Sequence, residues 1–117
     1  MVLALFAFRV RAGKQEEFQV LVHQMAELVQ TIPGFISMDL FQSQDGRMLA
    51  VPRFESEEAL LTWRNHPDHR AAQHRGKAEF FEDYWIDVCS TIRSYEFHRD
   101  DEQASTVTPP STSRNAG

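Results

Sequence analysis

Residues 33–54 read Pro33-Gly34-Phe35-Ile36-Ser37-Met38-Asp39-Leu40-Phe41-Gln42-Ser43-Gln44-Asp45-Gly46-Arg47-Met48-Leu49-Ala50-Val51-Pro52-Arg53-Phe54. Pro33-Gly34 breaks whatever helix precedes it. Phe35 to Phe41 and Met48 to Phe54 are runs of β-formers, and Gln44-Asp45-Gly46-Arg47 between them carries the Asp-Gly signal of a tight turn. The stretch is therefore a hairpin in the middle of the chain. Pro52 has no amide hydrogen to give to a neighbour, so the third strand is expected to be an edge, to bulge or to hold an unpaired position.

Working outward from the hairpin, Phe18, Leu21, Val22, Met25, Leu28, Val29 and Ile32 recur at three- and four-residue spacing. They predict an amphipathic helix over Gln15–Thr31, with Glu16 and Glu17 at its positive end. Before it, Val2 to Arg11 starts apolar on both faces and alternates only at Phe8-Arg9-Val10-Arg11, the pattern of a covered or central strand. After the hairpin, Ser56 stands as N-cap to Glu57–Trp63. Pro67 opens a second helix that runs toward Phe81. Tyr84 to Phe97 is the last strand, and at roughly 3.3 Å per residue it spans about 45 Å. That length suggests that part of it pairs across a dimer.

The order strand, helix, strand, strand, broken helix, strand predicts an α+β fold. It is a ferredoxin-like plait, a four-stranded antiparallel sheet with helices on one face. Its other face would expose aromatics such as Trp85 and Tyr95. A bare apolar face calls for a partner, so a homodimer through the sheet faces and the final strand is expected. Residues 1–99 make one domain. Residues 100–117 hold Ser, Thr, Pro, Asn and acids with almost nothing apolar, and are expected to be a disordered tail.

The 117 residues suffice for one core. Nine phenylalanines and two tryptophans make that core, or an interface, aromatic. A net charge of -5 with no basic block argues against nucleic acid and against an anionic membrane as partners. The opening Met1 to Phe8 lacks a basic leader segment, and Arg9 and Arg11 interrupt it. No run approaches the roughly 20 apolar residues of a membrane span. The expectation is a cytoplasmic protein. Cys89 is the one cysteine, which leaves no internal disulfide and no thiolate-rich metal site; on an apolar strand it reads as an inert thiol.

Chemistry points to the segment from Trp63 to Gly76. It sets an indole (Trp63), a carboxamide (Asn65) and three imidazoles (His66, His69, His74) close together after a short apolar helix. Polar atoms of this kind need partners if buried, and they also line pockets that orient an aromatic ligand. On a continuous helix His69 shares a face with Gln73, with Gly76 beyond them leaving room for a flat ligand. The alternatives stay open: His66 caps a turn or faces water, His69 packs or caps, and His74, on a more polar face, points to solvent. Metal hydrolysis is not supported, because His66, Asp68 and His69 point apart on a helix.

Several stretches together resemble the antibiotic biosynthesis monooxygenase family. They are Pro33-Gly34-Phe35, then Arg53-Phe54-Glu55-Ser56-Glu57-Glu58-Ala59-Leu60 leading into Trp63. His66-Pro67-Asp68-His69 follows, with Ala72-Gln73, Gly76, Phe80-Phe81 and Tyr84. The resemblance covers about residues 2–97. It implies a dimeric α+β barrel with a pocket between the helical layer and the sheet. Some members are cofactor-independent oxygenases of anthrone-like polyketides and others degrade haem. It places Trp63 at a pocket tryptophan and Asn65 near a catalytic helical asparagine. Phe6 falls where haem-degrading members carry an asparagine, and His74 near their axial histidine.

The resulting expectation is a cofactor-independent monooxygenase that oxidises an electron-rich anthrone- or quinol-like aromatic with dioxygen. His69 would be the base, with Trp63 and Asn65 positioning the ring and stabilising oxyanion charge. His66, Gln73, Gly76, Phe80, Tyr84 and Phe6 would line the substrate. Arg53 and Arg93 are candidates to meet an enolate oxygen, with ion pairs to strand acids as their other reading. Two alternatives stand beside it: a haem-binding or haem-degrading monooxygenase using His74, and a dimeric small-ligand-binding protein without turnover.

Overall fold

The structure is a computed structural model that describes residues 1–99. The expected disordered tail at 100–117 lies outside the described residues. Strand β1 (Val2–Val10) leads to helix α1 (Gln15–Val29), then strands β2 (Phe35–Gln42) and β3 (Met48–Phe54). Helices α2 (Glu57–Asn65) and α3 (Pro67–Arg75) follow, then a π-helical turn (Gly76–Phe80) and strand β4 (Phe81–Ser90). The four strands form one antiparallel sheet in the order β2-β3-β1-β4. The ferredoxin-like plait expected from the order of elements is what forms.

The barrel does not. β2 and β4 lie at opposite edges of the sheet, with β3 and β1 between them. A closed barrel with a side-chain-filled interior takes about eight strands, and four remain an open sheet. The expectation of an α+β barrel is corrected to an open four-stranded sheet.

The hairpin turns where Asp45-Gly46 predicts. Gly46 has φ +90°, its amide donates to the Ser43 carbonyl at 3.0 Å, and Ser43 N–H donates to Arg47 O at 2.9 Å. The Asp45 carboxylate accepts from Ser43 Oγ, from Arg47 N–H and from Arg9 of β1, and these bonds hold its pKa far below the usual carboxylate range. Pro52 sits in an interior strand, not an edge. It pairs with Met38 on the β2 side, while the ladder to β1 skips Val51 and Pro52 between Leu3–Arg53 and Phe6–Ala50. The missing amide hydrogen is accommodated as an unpaired position.

The last strand is shorter than its alternation suggests. β4 has β1 as its one neighbour, Ser90 already pairs with Val2, and Thr91 N–H reaches Met1 O at 2.9 Å. The ladder to β1 ends there, and the strand stops at Ser90 and not Phe97. Arg93 and Tyr95 therefore lie beyond the sheet. At its other end β4 begins at Phe81, three residues before the expected start, opposite Val10.

Alternation along β1 divides the faces. Ala4 and Phe8 turn toward the helices, and the main core joins Ala4 to Val29, Ile32, Phe54, Ala59, Leu60 and Trp63. Leu3, Leu5 and Ala7 turn to the open face, with Arg53, Leu49, Trp85 and Asp87 beside them by register. Gly34 lets α2 dock close. Its φ is +90°, and a Cβ there would lie 2.7 Å from that of Ala59. A side chain at position 34 would push α2 off the start of β2.

Candidate active site at a helix junction

α2 starts where Ser56 Oγ accepts the Ala59 amide hydrogen at 3.1 Å, and its buried stripe Ala59, Leu60 and Trp63 faces the core. Pro67 then disfavours helical backbone at the residue before it. His66 is accordingly extended (φ -60°, ψ 132°), and the helical path breaks there. The His66 ring takes up the cap of the next helix, with Nδ1 accepting from Asp68 N–H at 3.1 Å. Of its two readings, capping is the one this geometry displays.

The break folds α3 so that His69 lands on Trp63. Their rings stack with centroids 3.8 Å apart and planes 15° from parallel. His69 Nδ1 lies 3.0 Å from the Trp63 carbonyl oxygen. A carbonyl only accepts, so Nδ1 carries the proton and Nε2 keeps its lone pair. Burial pushes the His69 pKa below its ordinary 6.5; the hydrogen bond to Trp63 opposes this in part, and His66 nearby adds to the lowering. The imidazole is thus neutral at neutral pH, with a basic nitrogen to spare.

The other end of the junction is held similarly. Gln73 Nε2 donates to the Arg64 carbonyl at 3.1 Å and lies 3.4 Å from His69 Nδ1. Arg70 donates to Asn65 Oδ1 at 3.4 Å. Asn65 itself is exposed at the end of α2, off the stack. His74 is exposed on α3. The structure therefore brings Trp63, His66, His69 and Gln73 together, and leaves Asn65 and His74 outside.

The remaining expected residues form a second group. Phe6 meets Phe8, Phe81 and Tyr84 at centroid distances of 4.8, 5.5 and 5.7 Å, and Phe18 links Phe8 to the fully buried Phe80. Gly76 belongs here too. A Cβ on it would come within 2.4 Å of Phe81 Cε2, so the room left by the missing side chain is filled by that ring. The two groups meet on β1, where Ala4 packs with Trp63 and Phe6 follows two residues on along the same face.

Tyr84, Ile86 and Val88 pair with Phe8, Phe6 and Ala4, so they share the helix side of the sheet, yet they are 38%, 52% and 55% exposed. Ile86 and Val88, which were not among the expected site residues, are exposed apolar side chains beside Tyr84 on this face, and the alternation of the last strand was the available signal. Arg53 lies on the opposite face, in an ion pair with Asp39 at 3.1 Å. Two open clefts lie away from the Trp63–His69 stack. One runs between α1 and α3 along Leu21, Met25, Leu28 and Ala72, the other beside Leu3, Arg53 and Thr91. Among the described residues no three His, Cys, Asp or Glu are grouped to hold a metal, and no helix is long and apolar enough to cross a membrane.

The sequence profile described as "Antibiotic biosynthesis monooxygenase" matches residues 1–75, which include the whole junction. The chain belongs to the antibiotic biosynthesis monooxygenase family. Within reach of that family, the uncharacterized protein YqjZ of Bacillus subtilis is 31% identical over 74 residues, 63% of this chain and 65% of YqjZ. A jasmonate monooxygenase of Pyricularia oryzae is 25% identical over 104 residues, 85% of this chain and 48% of that protein. The chain thus spans less than two thirds of either relative. Among solved structures, a variant of SnoaB, a cofactor-independent oxygenase from Streptomyces nogalater, superposes with a TM-score of 0.69 at 16% identity. That match covers 80% of this chain and 94% of SnoaB, a likeness of fold.

Proposed function

We propose that the chain is a cofactor-independent monooxygenase of an electron-rich, anthrone- or quinol-like aromatic, with His69 as its base. The observation that carries this reading is the Trp63–His69 stack with Nδ1 tied to the Trp63 carbonyl. It presents a neutral imidazole by its Nε2 edge, the form a general base needs near neutral pH. Trp63 is buried under His69, so its part is to seat the base. Phe6, Tyr84, Ile86 and Val88 supply an apolar wall for a flat substrate. Asn65 receives no part, because it is exposed and its side-chain oxygen is on Arg70. Membership of the family, and relatives named as a monooxygenase and a cofactor-independent oxygenase, support the reaction class.

In this scheme Nε2 removes a proton from the activated ring carbon. The resulting enolate gives its electrons to dioxygen, and a C–O bond forms at that carbon. Loss of the second oxygen as water, with the proton returned from the imidazolium and a second ring proton, leaves a carbonyl. The substrate supplies all four electrons that dioxygen takes up, two when the C–O bond forms and two from the second C–H bond as the O–O bond breaks. The apolar wall would keep bulk water from the carbanion. His74 is exposed and apart from the stack, which favours His69 over a reading in which His74 would hold haem.

Replacing His69 by Ala should lower oxygen uptake on an anthrone on the order of a hundredfold. An unchanged rate rejects His69 as base. Background uptake by the wild type on every electron-rich aromatic tried would favour ligand binding without turnover.

The open sheet face supports a homodimer. Trp85 and Phe41 are about half exposed there, beside Leu3, Leu5 and Val51, a patch of the kind that copies of a chain bury against each other. Sedimentation at micromolar concentration should give a species of twice the chain mass; a monomer would reject the dimer.

A further inference from the structure

The sequence places Gln73 among substrate-binding residues, but its amide is spent inside the protein. The last carbonyls of a helix have no partner within that helix. In α2 two consecutive ones, those of Trp63 and Arg64, are satisfied by side chains one turn apart on α3, His69 and Gln73. The Trp63 carbonyl also accepts the His66 amide hydrogen at 3.1 Å, so both its lone pairs are used and it cannot rotate away from the ring.

We infer that Gln73 is a positioning residue for His69. By gripping the Arg64 carbonyl it fixes α3 against the end of α2, which keeps the imidazole stacked on Trp63 with Nδ1 in reach of the Trp63 carbonyl. By holding Nδ1 on a carbonyl that can only accept, this placement also bears on which nitrogen is protonated. Gln73 Nε2 lies 3.4 Å from His69 Nδ1. Its second amide hydrogen remains available to Nδ1, but at 3.4 Å it competes poorly with the Trp63 carbonyl at 3.0 Å. The shorter contact keeps Nδ1–H on the Trp63 carbonyl and leaves Nε2, the edge assigned to the base, unprotonated. Proton uptake then occurs on Nε2 with no rearrangement at the inner edge. This inference rests on the assignment of His69 as base, but the tautomer it predicts can be read without turnover.

The test is nitrogen-15 NMR of the imidazoles in the full chain, alongside oxygen uptake on an anthrone. Two variants are used, Gln73→Met, which keeps length and loses the amide, and Gln73→Glu, which cannot donate to Arg64 when ionised. The wild type should show His69 protonated on Nδ1 alone. Gln73→Met should show a mixture of tautomers, with kcat lowered about tenfold at little change in KM. In Gln73→Glu the neighbouring carboxylate favours the imidazolium, so the acid limb of kcat/KM should move to higher pH. A wild-type tautomer and pH profile in whichever variants fold, with only the melting temperature lowered, would overturn the proposal. Tautomer mixing in a protein whose wild type takes up no oxygen would support the positioning role and reject the oxygenase reading instead.

Discussion

The helix junction and the phenylalanine cluster are both aromatic and both lie on the helix side of the sheet, yet they are held by different physics. Around Phe6, Phe8, Phe18, Phe80, Phe81 and Tyr84, rings meet edge-on or tilted at about 5–6 Å, the arrangement aromatic quadrupoles prefer. These contacts span a range of tilts, from 32° to 90° between ring planes. At the junction a single pair lies flat at 3.8 Å, and its spacing is set by directional hydrogen bonds to backbone carbonyls. One region supplies stability, and the other supplies a defined nitrogen.

That contrast can be broken experimentally at either end. The largest effect is expected in the cluster. Phe80→Ala removes a fully buried ring and should cost about 3–5 kcal/mol in denaturant unfolding. If the loss is under about 1 kcal/mol, the cluster does not carry the stability assigned to it.

A smaller effect is expected at the junction, and it depends on pH. His69 has its pKa lowered in the folded state from an ordinary value of 6.5. Below that value the unfolded chain takes up a proton before the folded one does. The stability His69 contributes is therefore complete above about pH 6.5, falls as pH drops toward the folded pKa, and levels off below it. His69→Gln should remove this component from a series of urea titrations across pH 5–8. Identical slopes in wild type and variant would mean the ring is not desolvated as the stack implies.

Much of the architecture was legible in residues whose effect is local. Ser56, Pro67, Pro33-Gly34 and Asp45-Gly46 cap, start, stop and turn their elements where expected. What could not be read depended on partners distant in sequence. β4 ends where its ladder to β1 ends, at Ser90. Pro52 lies in an interior strand because the sheet places β1 beside it. The neighbour of Gly76 is Phe81, brought back by a π-helical turn. In the candidate site, the clustering of imidazoles drew attention to the segment from Trp63 to Gly76. It did not show that His69 would reach back six residues to the carbonyl of Trp63, because that contact exists only once Pro67 has broken the helix.

The π-helical turn at Gly76–Phe80 has a consequence for the strand that follows. A strand shows its side chains alternately to its two sides, so a one-residue slip exchanges them all. The wide turn accommodates one residue more than regular helix would over the same rise, and it passes directly into β4. It therefore acts as a phase setter between a helical period and a period of two. With one residue fewer and the same pairing to β1, Trp85, Asp87 and Cys89 would swing toward the helices, and Tyr84, Ile86 and Val88 would turn away. Which side chains β4 turns to the helix side of the sheet thus hangs on a single added residue in the turn before it.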